Sequence, residues 1–314
     1  MPRTLLQIVN AVQQELGIPQ SSAVIGATDF TTIQMLALLN MAGEELRDYP
    51  EEGWTSMREE FNLVVNTPLS TTGDVTDGSA VVTNIPSTAT LAADAWMCTG
   101  SGIPRAARVA SVDSPTQVTL TMQATATEAG ASLTFSNDTY ALPSDFRGYI
   151  PDTWWDRTNR WRLMGPDSPQ IDQWHRSGIV ATGPRRHWRQ IGKGSATFRI
   201  WPQPYEITDP LQLSFEYLST DWVDVNGAGA SYASAFANDA DTPVLDDRAL
   251  MLSLKYRYWE QKGYNHLPKQ QEYLEWTDRL VARDGSAPKL SLVRRTPPFL
   301  LTPANIQDGY FPGP

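Results

Sequence analysis

Residues 108–121 read RVASVDSPTQVTLT, and this stretch decides how the middle of the chain is expected to fold. It contains two runs of β-branched and small residues, 108–112 and 117–121, each of strand length. Similar runs occur at residues 80–83 and 132–135, and turn signals rich in Gly and Asp separate the runs. Short strands at this spacing predict a small all-β module of sandwich or barrel type.

Composition sets the bounds of this module. Residues 66–135 contain seven charged residues in seventy and no lysine, and they are rich in Thr, Ser, Ala and Val. A surface so poor in charge favours contact with a neighbour. We therefore expect an inserted all-β domain over residues 66–135 that is partly covered.

Helical patterns lie on both sides of the insert. Residues 4–17 have apolar positions at helical spacing and end at a glycine, which predicts a helix. A second helix is expected to begin after Thr28 or Asp29, with a stripe from Ile33 to Leu46. Both are apolar on one side only, so they must pack on each other or on later elements.

The rest of the chain suggests strands followed by helices. Residues 60–65 look like a strand, and residues 196–201 and 211–217 alternate and are expected to pair as a hairpin. A long helix is predicted to open at Thr242-Pro243, and a second helical segment covers residues 269–283.

Together these patterns predict an α+β fold, with a helical bundle core from both chain ends and a β layer. To this core we add the inserted small all-β domain and an extended C-terminal arm. The expected domains are a discontinuous core of residues 1–65 and 136–283, the insert of residues 66–135, and the arm of residues 284–314.

Composition also limits the function. The chain has 314 residues and a net charge of −10, and an acidic chain is poorly suited to nucleic-acid capture. Its single cysteine, Cys98, allows no intramolecular disulfide. The N-terminus does not look like a signal peptide, and no apolar run has the length of a membrane span, so we expect a soluble protein.

No motif for chemistry emerges. The histidines are His175, His187 and His266, without ligand spacing, and we interpret the first two as loop or interface residues. The glycines at residues 192–195 are in the wrong order for a phosphate-binding loop and suggest a hairpin turn. We expect no catalytic residue, no metal and no cofactor, and hence no enzyme.

One constellation is basic and aromatic. Interleaved Arg and Trp can bind single-stranded nucleic acid or form protein interfaces. Interspersed aspartates weaken a phosphate-binding field, so we favour a subunit interface. The interface candidates are Trp154, Trp155, Arg157, Trp161, Arg185, Arg186, Trp188 and Arg189.

The C-terminal stretch is rich in proline and carries large apolar groups, which is typical of an extended segment that binds a partner. The alternative is an arm folded back on its own domain. The candidate docking residues are Phe299, Leu300, Leu301, Tyr310 and Phe311.

A family resemblance begins at residue 140. The motif LPSDFR at residues 142–147, a Trp-bearing region, FRIWPQP at residues 198–204 and FEY at residues 215–217 follow one another. This order resembles the middle of head-to-tail adaptor proteins (connector or head-completion proteins) of short-tailed bacteriophages. The flanking helices and the aromatic tail extend the likeness to residues 1–65 and 136–314.

The insert resembles small β modules that recur in phage virion and tail proteins. The similar stretches are residues 78–88, 100–104 and 112–120. Where such modules keep Gly-Thr after Gly-Ile-Pro, this chain has Arg105-Ala106-Ala107.

The adaptor resemblance implies a structural virion protein that forms a homo-oligomeric ring, typically a dodecamer, at the head–tail junction. The ring connects the portal protein to the tail nozzle or tail tube protein and lets DNA pass as cargo during ejection. The C-terminal arm reaches the portal, no membrane is involved, and assembly takes place in the host cytoplasm. One alternative is a tail or virion module whose insert binds a receptor or glycan. Another is a nucleic-acid-binding protein or an unrecognised hydrolase.

Overall fold

The structure, a computed structural model, describes residues 2–50, 52–177, 186–192, 194, 197–203 and 210–285. The helices of the described residues are α1 (Leu5–Leu16), α2 (Phe30–Asp48), α3 (Pro169–Arg176), α4 (Asp247–Gln261) and α5 (Leu267–Asp284). Short 3-10 turns occur at Thr55–Met57 and Val225–Gly227. The strands of the described residues are β1 (Arg58–Val64), β2 (Leu69–Val75), β3 (Val81–Val82), β4 (Trp96–Gly100), β5 (Val109–Ser114), β6 (Gln117–Leu120), β7 (Glu128–Asn137), β8 (Thr139–Ala141), β9 (Phe146–Tyr149), β10 (Trp155–Asp156), β11 (Trp161–Arg162), β12 (His187–Ile191), β13 (Thr197–Trp201), β14 (Gln212–Ser219), β15 (Val223–Asp224), β16 (Tyr232–Ala233) and β17 (Thr242–Pro243).

The N-terminal helices have local reasons to begin and end where they do. Thr4 and Gln7 form a capping box at the start of α1, and Gly17 ends the helix in the left-handed region at φ 70°. Asp29 caps α2 by accepting the Thr32 amide at 2.8 Å. The prediction of a helix over residues 4–17 is confirmed. The predicted stripe of α2 is partly wrong, because Ile33 is exposed.

The apolar faces of α1, α2, α4 and α5 meet in one cluster with Trp222. Gly43 of α2 lies against the Trp222 ring, and a Cβ at this position would come within 2.1 Å of ring carbons. Only glycine allows this close approach, because any side chain would displace the indole.

The described strands form five small sheets. Two of them, β2-β7-β4 and β3-β6-β5, enclose an apolar cluster made only of residues 69–135. The sheet β1-β14-β10-β11, with β9 also paired to β14, shares a second cluster with the sheet β12-β13-β8. The fifth sheet, β16-β15-β17, adds Val223 to the helical cluster.

The predicted fold class is wrong. The chain is a mixed fold of helices and many antiparallel strands in several small sheets, and strands dominate its middle. A helical bundle with one β layer does not describe it, since the apolar residues are divided among three clusters and two of these are built from strands. The physical reason is that the alternating runs of the middle bury their apolar faces between sheets rather than on the helices.

Two details of the middle and C-terminal parts also differ from expectation. The predicted hairpin of residues 196–201 with 211–217 is wrong, because β13 pairs with β12 and β8, whereas β14 pairs with β1, β10 and β9. Thr242-Pro243 forms β17 instead of opening a helix. The helix α4 begins later, where Asp246 accepts the Ala249 amide at 2.8 Å.

β12 and β13 pair antiparallel, as the expected hairpin requires, and residues 193, 195 and 196 of the connection lie outside the described residues. In the described part of the chain, no helix is both long enough and apolar enough to span a membrane.

Candidate functional site

Two of the interface candidates lie in the interior. Trp154 is stacked between Trp188 and Phe215, with ring centroids 3.8 Å apart on each side. All three rings are buried in the cluster shared by the two central sheets. The structure therefore places Trp154 and Trp188 in the core and not on a surface that a neighbouring subunit could contact.

Three other candidates are exposed. Trp155 and Trp161 are 40% and 37% exposed, on the neighbouring strands β10 and β11. Arg157 follows β10, forms an ion pair with Glu60 and donates a hydrogen bond to Ser214 Oγ at 2.6 Å. Trp155 and Arg157 line a shallow depression of this face.

The remaining arginine candidates divide differently. Arg186 is buried and forms an ion pair with Asp156, with Nη1 and Oδ2 3.4 Å apart. Arg189 forms an ion pair with Asp172 at 3.2 Å. Arg185 lies outside the described residues, and so do the five arm candidates, Phe299, Leu300, Leu301, Tyr310 and Phe311.

Exposed apolar side chains are frequent in one part of the chain. We call the set Trp155, Trp161, Met164, Ile171 and Trp174 the aromatic surface. All of these side chains belong to β10, β11, α3 or the segment that joins β11 to α3. Large exposed apolar groups, aromatic ones above all, are favoured at protein interfaces, so this is the stretch of the described chain best suited to contact with a partner.

A buried charge cluster joins the strands of residues 69–138 to α3. Arg108 binds the Asp138 carboxylate through both terminal nitrogens, at 2.7 and 2.6 Å. Arg176 of α3 approaches Asp138 at 3.4 Å and Asp172 at 3.0 Å. Burial and the nearby Arg108 lower the pKa of Arg199, which lies beside this cluster. The cluster fixes how the insert strands meet α3.

Two histidines and an aspartate come together beside this cluster. Asp167 Oδ2 lies 3.2 Å from His187 Nδ1 and 3.4 Å from His175 Nδ1. The two imidazole centroids are 4.5 Å apart. A ligand atom from each of the three side chains lies within 4.8 Å of the others, so the group could hold a metal ion.

The backbone explains why these side chains meet. The Asp167 amide donates to the Trp188 carbonyl at 2.9 Å, the Trp188 amide donates to the Met164 carbonyl at 2.9 Å, and the Met164 amide donates to the Arg186 carbonyl at 2.9 Å. This pairing places Asp167 beside His187. Ser168 then caps α3 by accepting the Ile171 amide at 3.3 Å, and the helix carries His175 back to the same place.

Sequence reasoning missed this group. It assigned both histidines to an irregular region, but His175 lies on α3 and His187 on β12. The one available signal was the Asp167-Ser168-Pro169 start of a short helix. That signal places Asp167 just before a short helix and His175 near its end. It does not show that the segment between β11 and α3 pairs with β12, which is what brings His187 next to Asp167.

Cys98 gives a testable property of the core. It lies in the middle of β4 opposite Phe135 and is buried, and this burial raises the pKa of its thiol to about 12. We expect iodoacetamide at about pH 8 to leave the native protein unlabelled, because the thiolate is the reactive form. The urea-unfolded chain, with its single cysteine, is expected to take up one label, as measured by intact mass. Rapid labelling of the native protein contradicts this expectation.

The same shift of pKa predicts a pH dependence. An unfolded thiol ionises near pH 8.5, as a rough value for model peptides, whereas the folded thiol stays protonated to higher pH. The contribution of Cys98 to stability is therefore fully present below about pH 8.5 and is lost as the pH rises toward the folded value.

No protein-family model matches the chain, and no curated protein matches it in sequence.

Proposed function

We propose that the chain is a structural subunit of a phage head-to-tail adaptor. The observation that carries this proposal is the succession of LPSDFR at residues 142–147, FRIWPQP at residues 198–204 and FEY at residues 215–217, which resembles that family. The aromatic surface supports it, because a ring subunit must present adhesive faces to its neighbours.

In this role the partners are further copies of the chain, the portal protein and the tail nozzle or tube protein. The subunit functions within the virion, at the head–tail junction, and DNA passes through the ring. A net charge of −10 suits a channel through which DNA slides, because like charges reduce adhesion to phosphates.

The proposal commits the aromatic surface to one occupant, a neighbouring copy of the same chain. Trp155 and Trp161 are exposed on the paired strands β10 and β11, where their cross-strand partners are Arg162 and Asp156, so the two indoles leave opposite faces of this pair. Arg157 lines the same depression as Trp155. An exposed Trp beside an Arg is the composition that dominates binding energy at protein interfaces. Contact between copies through the aromatic surface is heterologous, and such contacts close into rings when the rotation allows.

Electron microscopy and light scattering of the purified full chain, alone and with portal rings, test the proposal. We expect rings in at least the portal-containing sample. The double variant Trp155→Ala/Trp161→Ala is expected to need at least about a tenfold higher protein concentration to form rings. Truncation of an interface hot-spot residue typically costs about 2 kcal/mol or more of binding free energy.

Tyr264→Ala is the matched control, because Tyr264 is an exposed aromatic residue in the turn between α4 and α5 and does not belong to the aromatic surface. It is expected to assemble as the parent does. A chain that stays monomeric both alone and with portal rings contradicts the adaptor proposal. Rings that form equally well in the double variant contradict the assignment of the aromatic surface.

A further inference from the structure

We propose that Asp167, His175 and His187 form a binding site for one divalent transition-metal ion of the zinc type. The proposal is independent of the adaptor function. It rests on the convergence of two imidazole nitrogens and a carboxylate from three separate segments of the chain: the residues before α3, the end of α3 and the start of β12.

Two of the three distances between ligand atoms fit a tetrahedral ion, and the third, between a nitrogen of His175 and one of His187, lies within 4.8 Å. Ligands about 2.0–2.1 Å from zinc, at tetrahedral angles, lie about 3.3 Å from one another. Asp167 Oδ2 lies 3.2 Å from His187 Nδ1 and 3.4 Å from His175 Nδ1. The same atoms that approach the carboxylate are those that would bind the ion.

Burial supplies a second, independent observation. The His175 side chain is 9% exposed, and its Nδ1 has no hydrogen-bond partner in the described part of the chain. A buried polar atom without a partner is unfavourable, because it has lost its hydrogen bonds to water. An ion held by Nδ1 satisfies this atom, whereas the 3.4 Å approach to Asp167 does not make a hydrogen bond.

The charges nearby leave the carboxylate available. Arg176 of α3 and Arg189 of β12 both form ion pairs with Asp172. The ionic contacts of Asp167 within the described residues are with the two imidazoles. The Asp167 carboxylate is therefore not paired with these two arginines, and a cation bound between the three side chains would neutralise its charge.

The donor set selects the class of metal. Two neutral imidazoles with one carboxylate suit Zn²⁺, Co²⁺, Ni²⁺ or Cu²⁺, whereas Mg²⁺ and Ca²⁺ prefer sites made of oxygen. His187 is 24% exposed at its side chain, so the site opens toward solvent on that side. Three protein ligands with an open fourth position leave room for one water molecule.

Binding of metal is to be measured on the full-length protein after removal of metals with a chelator. We expect calorimetric titration with Zn²⁺ to show one equivalent per chain. Titration with Co²⁺ is expected to give the visible absorption of a four- or five-coordinate ion. This spectrum needs no variant, so it tests the site even if a substitution prevents folding.

His187→Ala and Asp167→Asn test the assignment of ligands. Each is expected to weaken Zn²⁺ binding by more than about tenfold, since loss of even an outer partner of a metal ligand weakens binding by about 10–100-fold. His266→Ala is the matched control, because His266 is the one remaining histidine of the chain and precedes α5. It is expected to bind as the parent does.

Thermal melts of the same proteins give a second readout. Zn²⁺ is expected to raise the Tm of the parent and of His266→Ala but not that of His187→Ala, because a ligand of the folded state stabilises it. Absence of stoichiometric binding by the parent overturns the proposal and leaves Asp167 as a hydrogen-bond partner of the histidines only. Binding that His187→Ala leaves unchanged, or several weak sites per chain, also overturns it.

Discussion

Replacement of Arg108 by Met is expected to lower the free energy of unfolding by about 3–5 kcal/mol, the range typical for breaking a buried ion pair. Asp138 is 0% exposed, and Arg108 is the closer of the two arginines that pair with it in the described part of the chain. The same guanidinium also donates to the Asp94 carbonyl at 2.6 Å and to Thr139 Oγ1 at 2.8 Å. Removing it leaves the buried carboxylate with the longer contact to Arg176 and a hydrogen bond from the Thr139 hydroxyl at 2.8 Å.

Urea unfolding, followed by circular dichroism, measures this loss. Arg105→Met is the matched control, because Arg105 is exposed and lies near the Trp201 ring instead of a carboxylate. Its effect is expected to stay within about 0.5 kcal/mol, as for ordinary surface changes. The double variant Arg108→Met/Asp138→Leu is expected to recover much of the loss, since apolar pairs often replace buried ion pairs without penalty. If Arg108→Met is as stable as Arg105→Met, the Arg108–Asp138 ion pair does not have the stabilising role assigned to it.

Replacement of Trp154 by Ala is expected to lower the free energy of unfolding by about 3–5 kcal/mol, as for other large aromatic residues in cores. The indole fills the space between Trp188 and Phe215, so its removal leaves a cavity and ends two stacked contacts. It also makes an edge contact with Phe198, with centroids 5.0 Å apart. The sheet that contains β14 and the sheet that contains β12 therefore both lose a side chain that they contact.

Trp155→Ala is the matched control for this prediction. It removes the same side chain at the next position, where the ring is exposed on β10. Denaturant titrations of both variants should show a much smaller loss for Trp155→Ala. Equal losses contradict the assignment of Trp154 to the core and Trp155 to the surface. The comparison also separates stability from assembly, because Trp155 belongs to the proposed contact between copies.

These two variants show where sequence reasoning failed. Trp154 and Trp155 are adjacent, and composition gives them the same weight as interface residues. Their difference arises because β10 pairs with β14 and turns successive side chains to opposite faces of the sheet. The sequence around β10 gives no alternation long enough to predict which face is buried.

Local patterns predicted much of the secondary structure. The helix α1 follows from helical spacing and from Gly17, and α2 follows from its Asp29 cap. The strands β5 and β6 follow from β-branched runs in residues 108–121. These features depend on neighbours a few residues away, so the sequence alone can indicate them.

The sequence by itself thus determined the helices with their caps, the short strands of the insert, and the residues that resemble an adaptor. Only the tertiary structure decided how the strands are shared among five small sheets, and which tryptophans are buried. It alone brought Asp167, His175 and His187 together. The physical reason is that strand pairing and burial join residues far apart in the chain, and no local period or cap carries that information.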